Sequence, residues 1–540
     1  MGRIWSTPEK LEDLTYELVN WNSITGSTGE GEFPYKLKDL ILRIPYFEKQ
    51  PELVKLHAAQ TGRQSLSALY KCNQSHVKNT IVFISHFDTV DTDDYGELEP
   101  LALDPLALKA KLRQDAFHEK DELKHDILSD VYVFGRGIMD MKSGLAQHIH
   151  VLEQACDEDW PVNLLLLTVH DEEADSEGIR TMIPSLNQLA EQYDLNYRLV
   201  LNGEPSFPEY EKDEAQYIYS GSMGKIMPTV VVRGKGTHAG DSHRAVSAPY
   251  ILSYITQAME WNTVFSDSFQ GEASALPATL SSRDLKSHYS VQIPVTAYSM
   301  YNVLMLNSGP DEIMERFTNV VTKALYQCSK TLKNNKDIQL SKTEKDIRVM
   351  TYEELNRYVR EQHSNDWIDA KINEYSSHPA WDEREQSIRI TEMLLNSCPE
   401  IGPVAICLFA PPYYPAVNSS TEPLVIRLID AVRKKANTIS REIEHRHYFN
   451  GISDLSYVNK AKVDLHAEII SNNMPVWGRG YKIPFVEMAQ LSAPVMNIGS
   501  YGKDPHLRSE RLHKISAFKE TPELIKTVIF EIMNEKQEDV

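Results

Sequence analysis

The chain has 540 residues, 41% hydrophobic and 25% charged, enough for a large core and, on length alone, roughly two to four domains. Its formal net charge of -21 argues against nucleic acid or an anionic membrane as a partner, because both repel an acidic surface. The five cysteines (Cys72, Cys156, Cys328, Cys398, Cys407) are scattered and odd in number, which favours a reducing compartment over a disulfide framework. The first residues, MGRIWSTPEKLEDLTYELVNW, lack the uninterrupted apolar core of a signal peptide, and no apolar run approaches membrane-spanning length. The expectation is a cytoplasmic α/β protein.

In chain order, Ser6-Thr7-Pro8-Glu9 opens a helix with Leu11, Leu14, Leu18 and Val19 on one face. Residues 22–32 read as a glycine-bearing loop, and a helix follows from about Pro34 to Arg43. Ile81 to Ile84 form a short apolar run suited to a strand buried on both faces, ending in Ser85-His86-Phe87-Asp88. Residues 92–130 read as a charged loop with a short helix around 105–125. The strand pattern Val131 to Phe134 runs through Gly135-Arg136-Gly137 to Asp140, ahead of an amphipathic helix buried along Leu145, Ile149 and Leu152. Asn163 to Val169 and Arg198 to Leu201 are two more buried strands, ending in His170-Asp171-Glu172-Glu173 and Asn202-Gly203-Glu204-Pro205. Alternating strands and helices predict a largely parallel sheet covered on both faces.

The pattern changes after about residue 213. A strand at 227–234, a helix at 247–261, strands at 288–298 and 301–306 and a helix at 311–326 suggest an inserted α+β module of ferredoxin-like order. Residues 330–400 are charged and helical in pattern, and Cys407 to Pro412 close the excursion. A helix at 421–435 and a strand at 493–499 return to the first domain and lead to His506. The expected domains are 1–213 with 413–540, carrying the chemistry, and 214–412, the insert.

The strand ends collect His86 and Asp88, Asp140, Asp171 with Glu172 and Glu173, Glu204, and His506. Two imidazoles and several carboxylates without cysteine suit zinc or a similar divalent ion, and two such ions about 3.5–4 Å apart can share a carboxylate. Ions so placed make water acidic enough to attack near neutral pH, and a further carboxylate is needed to carry its proton. Glu172-Glu173 can divide those duties at a strand end, where neighbouring side chains point apart. Asp88 can orient the His86 ring from its far nitrogen. Taken singly each residue has a plainer reading: a helix cap for Asp140, a solvated loop for Glu172-Glu173, a turn for Glu204-Pro205, a hydrogen-bonded loop residue for either histidine. Their order, and their placement after buried strands, favours a site.

The segments SHFDTV at 85–90, GRGIMDMKSG at 135–144, DEEADSEG at 171–178, NGEPS at 202–206 and GKGTHAGDSHRAVSA at 234–248, with the His506 region, resemble the dizinc metallopeptidase family of carboxypeptidase G, aminoacylase, peptidase T and succinyl-diaminopimelate desuccinylase. Length, the TGSTGEGEFP stretch and the enlarged insert look most like its arginine-utilisation proteins. The resemblance implies a zinc-exopeptidase-like catalytic domain with an inserted lid or dimerisation domain. It implies His86 and Glu204 on one metal, Glu173 and His506 on the other, Asp140 bridging, Glu172 as general base and Asp88 as orienter. His238, in the insert, would stabilise the oxyanion, and a homodimer is implied. So is a cis peptide at Asp140-Met141.

Two departures stand out. Ser456 occupies the place where the family's G-[ST]-D-A-R-like stretch carries an arginine for a substrate carboxylate, leaving Arg446 or Arg508 as substitutes, and His506 sits between Pro505 and Leu507, with His513 as the fallback ligand. The expected activity is hydrolysis of an amide bond in a small N-acyl amino acid or amino-acid derivative, with two divalent ions, zinc or else cobalt or manganese. An aminopeptidase or dipeptidase is the alternative enzyme, and a catalytically silent small-molecule binding homologue the alternative of another class.

Overall fold

The computed structural model describes residues 3–458 and 463–535. They divide into two compact units, one of Met1–Ser222, Val417–Ala461 and Val486–Val540, the other of Met223–Ala416 and Lys462–Phe485. Against the insert expected at 214–412, residues 214–222 group with the first unit, and 413–416 and a later segment, 462–485, with the second.

The first unit is built on an eight-stranded sheet whose neighbours run, in order, 54–58, 64–70, 163–169, 79–86, 196–202, 495–498, 216–219 and 443–446. Its centre is parallel, from 163–169 through 79–86 and 196–202 to 495–498, while the pairs 54–58/64–70, 64–70/163–169 and 495–498/216–219 are antiparallel. The central strands are buried along nearly their whole length, as their unbroken Val, Ile and Leu runs require. The helices Ser143–Glu158 and Thr521–Met533 pack on each other and against the strand 79–86, and Thr28–Ile41 and Glu177–Tyr193 cover the antiparallel end.

Two expectations are corrected. The helix placed at about Pro34 begins at Thr28, capped by the Ser27 hydroxyl, so half of the presumed loop is helical and Glu30 is buried. The strand before Asp140, Tyr132–Phe134, is not in the main sheet; it pairs with Arg511–His513 in a separate three-stranded sheet.

In the second unit, Gly224–Arg233, Ala248–Met259, Ala278–Asp284, Thr296–Met305, Pro310–Asn334 and Val404–Tyr414 follow one another as strand, helix, two strands, helix, strand. The strands stand in the order second, third, first, fourth, all antiparallel, with Arg348–Thr351 added in parallel at the edge. That is the split βαβ arrangement of a ferredoxin-like module. The strands expected at 288–298 and 301–306 are instead the single strand Thr296–Met305 and its partner Ala278–Asp284. Residues 352–397 supply three helices.

Candidate metal centre

The parallel strands of the first unit deliver the candidate residues to one end of the sheet. His86 is the last residue of its strand and is buried, 1% exposed. Its Nε2 faces three carboxylates: Asp140 Oδ1 at 3.3 Å, Glu204 Oε1 at 3.6 Å and Glu172 Oε2 at 3.9 Å. Its Nδ1 lies 3.0 Å from the main-chain oxygen of Asp88 and 3.6 Å from the Asp88 carboxylate. That carboxylate receives the Glu172 N–H at 3.1 Å, the Glu173 N–H at 3.2 Å and the Thr25 hydroxyl at 2.8 Å.

Asp140 sits in a turn entered through Gly137, whose φ of 71° only glycine adopts freely. The Asp140-Met141 bond is cis, as the resemblance implies. The two oxygens of Asp140 face different imidazoles, Oδ1 toward His86 at 3.3 Å and Oδ2 toward His506 Nε2 at 3.1 Å. His506 Nε2 is also 3.1 Å from Glu173 Oε1. Glu172 and Glu173 therefore do point apart, the first to His86 and the second to His506.

Neighbouring segments fix these positions. Asp171, in a left-handed conformation with φ 67°, is gripped by Arg63 Nη1 at 2.7 Å, and its N–H donates to Glu30 at 3.0 Å. Glu204 is placed by the strand beside it: Asn497 Nδ2 donates to its carbonyl at 2.9 Å, and a Cβ on Gly499 would lie 1.9 Å from that oxygen. Arg136 and Glu510 tie the turn of Asp140 to the loop of His506.

The electrostatics are those of a cation site. Burial pushes Glu172 and Glu204 well above the usual carboxylate range, against the pull of His86. Glu173 is raised by burial and by Asp140 beside it. For Asp140 burial acts upward too, but the hydrogen bonds from His506 and His86 override it and hold its carboxyl low. Those carboxylates raise His506 to about 11. Asp454, also buried, is raised by burial to about 7. So many acids packed together demand positive charge, and protonated imidazoles are a partial substitute. His86, Asp140 and Glu173 each offer one donor atom, all within 4.8 Å of one another. A nitrogen and oxygen donor set of this kind fits one or two divalent cations.

Other expected residues lie elsewhere. His513 is in the strand Arg511–His513, where burial lowers it to about 4 and its Nδ1 accepts from Ser516 N–H at 3.1 Å, so the structure brings His506 and not His513 to the acids. Ser456 is fully buried. Arg446 is committed to Glu209 at 2.9 Å and Glu444 at 2.8 Å, and Arg508 pairs with Glu119 at 3.1 Å. His238 belongs to the second unit, exposed at the start of a short turn, with its Nδ1 accepting from Gly240 N–H at 3.1 Å. Sequence reasoning passed over Thr25, Glu30, Arg63, Arg136, Asp454 and Glu510. Arg136 lies inside the quoted GRG segment and Glu510 four residues after His506, which is the signal they carried.

Against known proteins, the profile of peptidase family M20/M25/M40 matches residues 82–472. The chain belongs to that family. It is thereby a metallohydrolase of C–N amide bonds. The uncharacterized protein YqjN of Bacillus subtilis is 33% identical over 99% of this chain and 98% of its own length. Protein RocB of the same organism is 29% identical over 96% of this chain and 94% of its own. Among solved structures, the M20 family metallo-carboxypeptidase Sso-CP2 from Sulfolobus solfataricus covers 96% of this chain and 99% of its own with a TM-score of 0.56 and 12% identity. Aminopeptidase PepT from Bacillus cereus covers 98% of this chain and 99% of its own with a TM-score of 0.51 and 14% identity. These two likenesses are of fold.

Proposed function

We propose that the chain hydrolyses an amide bond in a small N-acyl amino acid or amino-acid derivative at a two-metal centre. The observation that carries the reading is Asp140 standing between His86 and His506 with one oxygen toward each. His86 and Glu204 would hold one ion, Glu173 and His506 the other, with Asp140 shared. Such a pair, zinc by preference, supplies Lewis acidity to the scissile carbonyl and makes water a competent nucleophile near neutral pH.

Glu172 Oε2 takes the proton from the attacking water and returns it to the leaving amine. Its neighbourhood suits that task, since burial raises its proton affinity. The Asp88 carboxylate holds the Glu172 and Glu173 amides, so the base and its neighbour keep a fixed spacing. The oxyanion role of His238 rests on its motif. The TGSTGEGEFP stretch and the enlarged insert, which resemble the arginine-utilisation proteins of the family, support an arginine-derived amide as substrate. A homodimer in the cytoplasm belongs to the same reading; no helix among the described residues is long and apolar enough to cross a membrane.

One observation favours an aminopeptidase as second reading. Ser456 replaces the arginine expected for a carboxylate, and Arg446 and Arg508 are both ion-paired, whereas acids are in surplus and suit an ammonium group. Hydrolysis of a panel of N-acyl amino acids, N-acyl arginines among them, and of dipeptides by the metal-loaded protein separates the two. Activity on N-acyl compounds alone supports the first reading, and activity only on substrates with a free amino terminus supports the second. Turnover of neither by wild type, or full turnover by Glu172→Ala, would contradict the proposed reaction.

A further inference from the structure

Outside the ring of candidate ligands, one buried ion pair reaches two of them at once. Arg136 is 1% exposed and Glu510 fully buried. Glu510 Oε2 receives Arg136 Nη1 at 3.0 Å, and its other oxygen receives the N–H groups of Met139 at 3.1 Å and Asp140 at 3.4 Å. Arg136 Nη2 donates to Asp94 at 2.7 Å and to the main-chain oxygen of His506 at 3.3 Å, while Nε donates to the Asp91 carbonyl at 2.9 Å. One carboxylate and one guanidinium therefore bind the backbone of Asp140 and the backbone of His506, residues far apart in sequence.

His506 needs such a hold. Its φ is 64° and its side chain is 47% exposed, so packing does little to fix the ring. The planar fork of an arginine, with several donors in fixed directions, suits the task better than a flexible lysine would. We infer that Glu510 and Arg136 are positioning residues that set Asp140 and His506 at the spacing the second metal ion requires. This rests on the metal-centre reading above, and extends it to groups that touch neither substrate nor metal.

The test is cobalt(II) titration of the full-length protein stripped of metal, followed by visible absorption and by competition with a chelating dye. Wild type, Glu510→Gln, Arg136→Lys and Glu153→Gln are compared, each checked for folding by its thermal melt. Glu153 is a control for loss of a buried carboxylate alone: it accepts the N–H groups of Ile4 and Trp5 at 2.6 and 2.8 Å, away from the ligands. Wild type and Glu153→Gln should take up two equivalents. Glu510→Gln should bind its second equivalent about 10–100-fold more weakly, with an altered spectrum, as changes to groups that orient ligands generally do. Arg136→Lys keeps the buried charge and should show the same defect to a smaller degree, so it decides the matter if Glu510→Gln does not fold. Two equivalents bound by both variants with wild-type affinity and spectrum would overturn the inference and leave the metal centre standing. Equal weakening in Glu153→Gln would also overturn it, since any buried carboxylate would then do. Wild type that binds no cobalt would remove the metal centre and the inference together.

Discussion

Asp88 holds Glu172 by its main chain: the Glu172 N–H donates to Asp88 Oδ1 at 3.1 Å, while the other oxygen receives the Glu173 N–H at 3.2 Å. One buried carboxylate thus sets the posture of the candidate base and of a candidate ligand, and it does so from beneath His86. Asp88→Asn places an amide donor against an N–H donor and breaks one of these bonds. The expected outcome is a fall in kcat of about 10–100-fold with two metal ions retained, read by steady-state kinetics beside metal analysis. Unchanged kcat would show that the turn holds itself.

Glu204 depends on the close approach of Gly499. A methyl group there would lie 1.9 Å from the Glu204 carbonyl oxygen, which is backbone and cannot swing aside. Gly499→Ala should destabilise the protein by about 1–3 kcal/mol and lower metal affinity. Urea unfolding with metal titration checks both effects. Wild-type stability in the variant would mean that the strand Val495–Ile498 shifts without cost.

His148 links stability to acid. It is fully buried, stacked on Phe83 with ring centroids 4.6 Å apart, and neither ring nitrogen has a hydrogen-bond partner among the described residues. Burial lowers its pKa from 6.5 to about 3. The unfolded chain therefore takes up a proton that the folded chain refuses, and the penalty grows as pH falls from about 6.5 toward 3. At pH 5 it amounts to about 2 kcal/mol. His148→Leu should remove that part of the acid sensitivity, so its stability relative to wild type should rise between pH 7 and 5 in urea unfolding. A constant difference would sink the assignment.

Much of the first unit was legible because its central strands are buried on both faces. Ile81–Ile84 and Leu164–Leu167 are continuous apolar runs within strands buried along nearly their whole length, short enough for a strand between polar ends. The helix start at Thr28 is hidden in the sequence because Gly29 and Gly31 argue locally for a loop; the buried Glu30, tied to Gly26 and Asp171, overrides them. Tyr132–Phe134 reads as a strand from its own residues, but nothing in those residues says that its partner is Arg511–His513. The same holds for the site. His86, Asp140, Glu173 and Glu204 follow strands or a glycine turn and announce themselves, whereas Arg136 and Glu510 are 374 residues apart and meet only through the fold.

The proposed reaction stands on Asp140 being shared by two metal ions. Crystals of the full chain loaded with zinc, measured by anomalous scattering on either side of the zinc absorption edge, test it directly. Two peaks flanking the Asp140 carboxylate are expected, one beside His86 and Glu204 and one beside Glu173 and His506. A single ion, or ions bound away from Asp140, would contradict it.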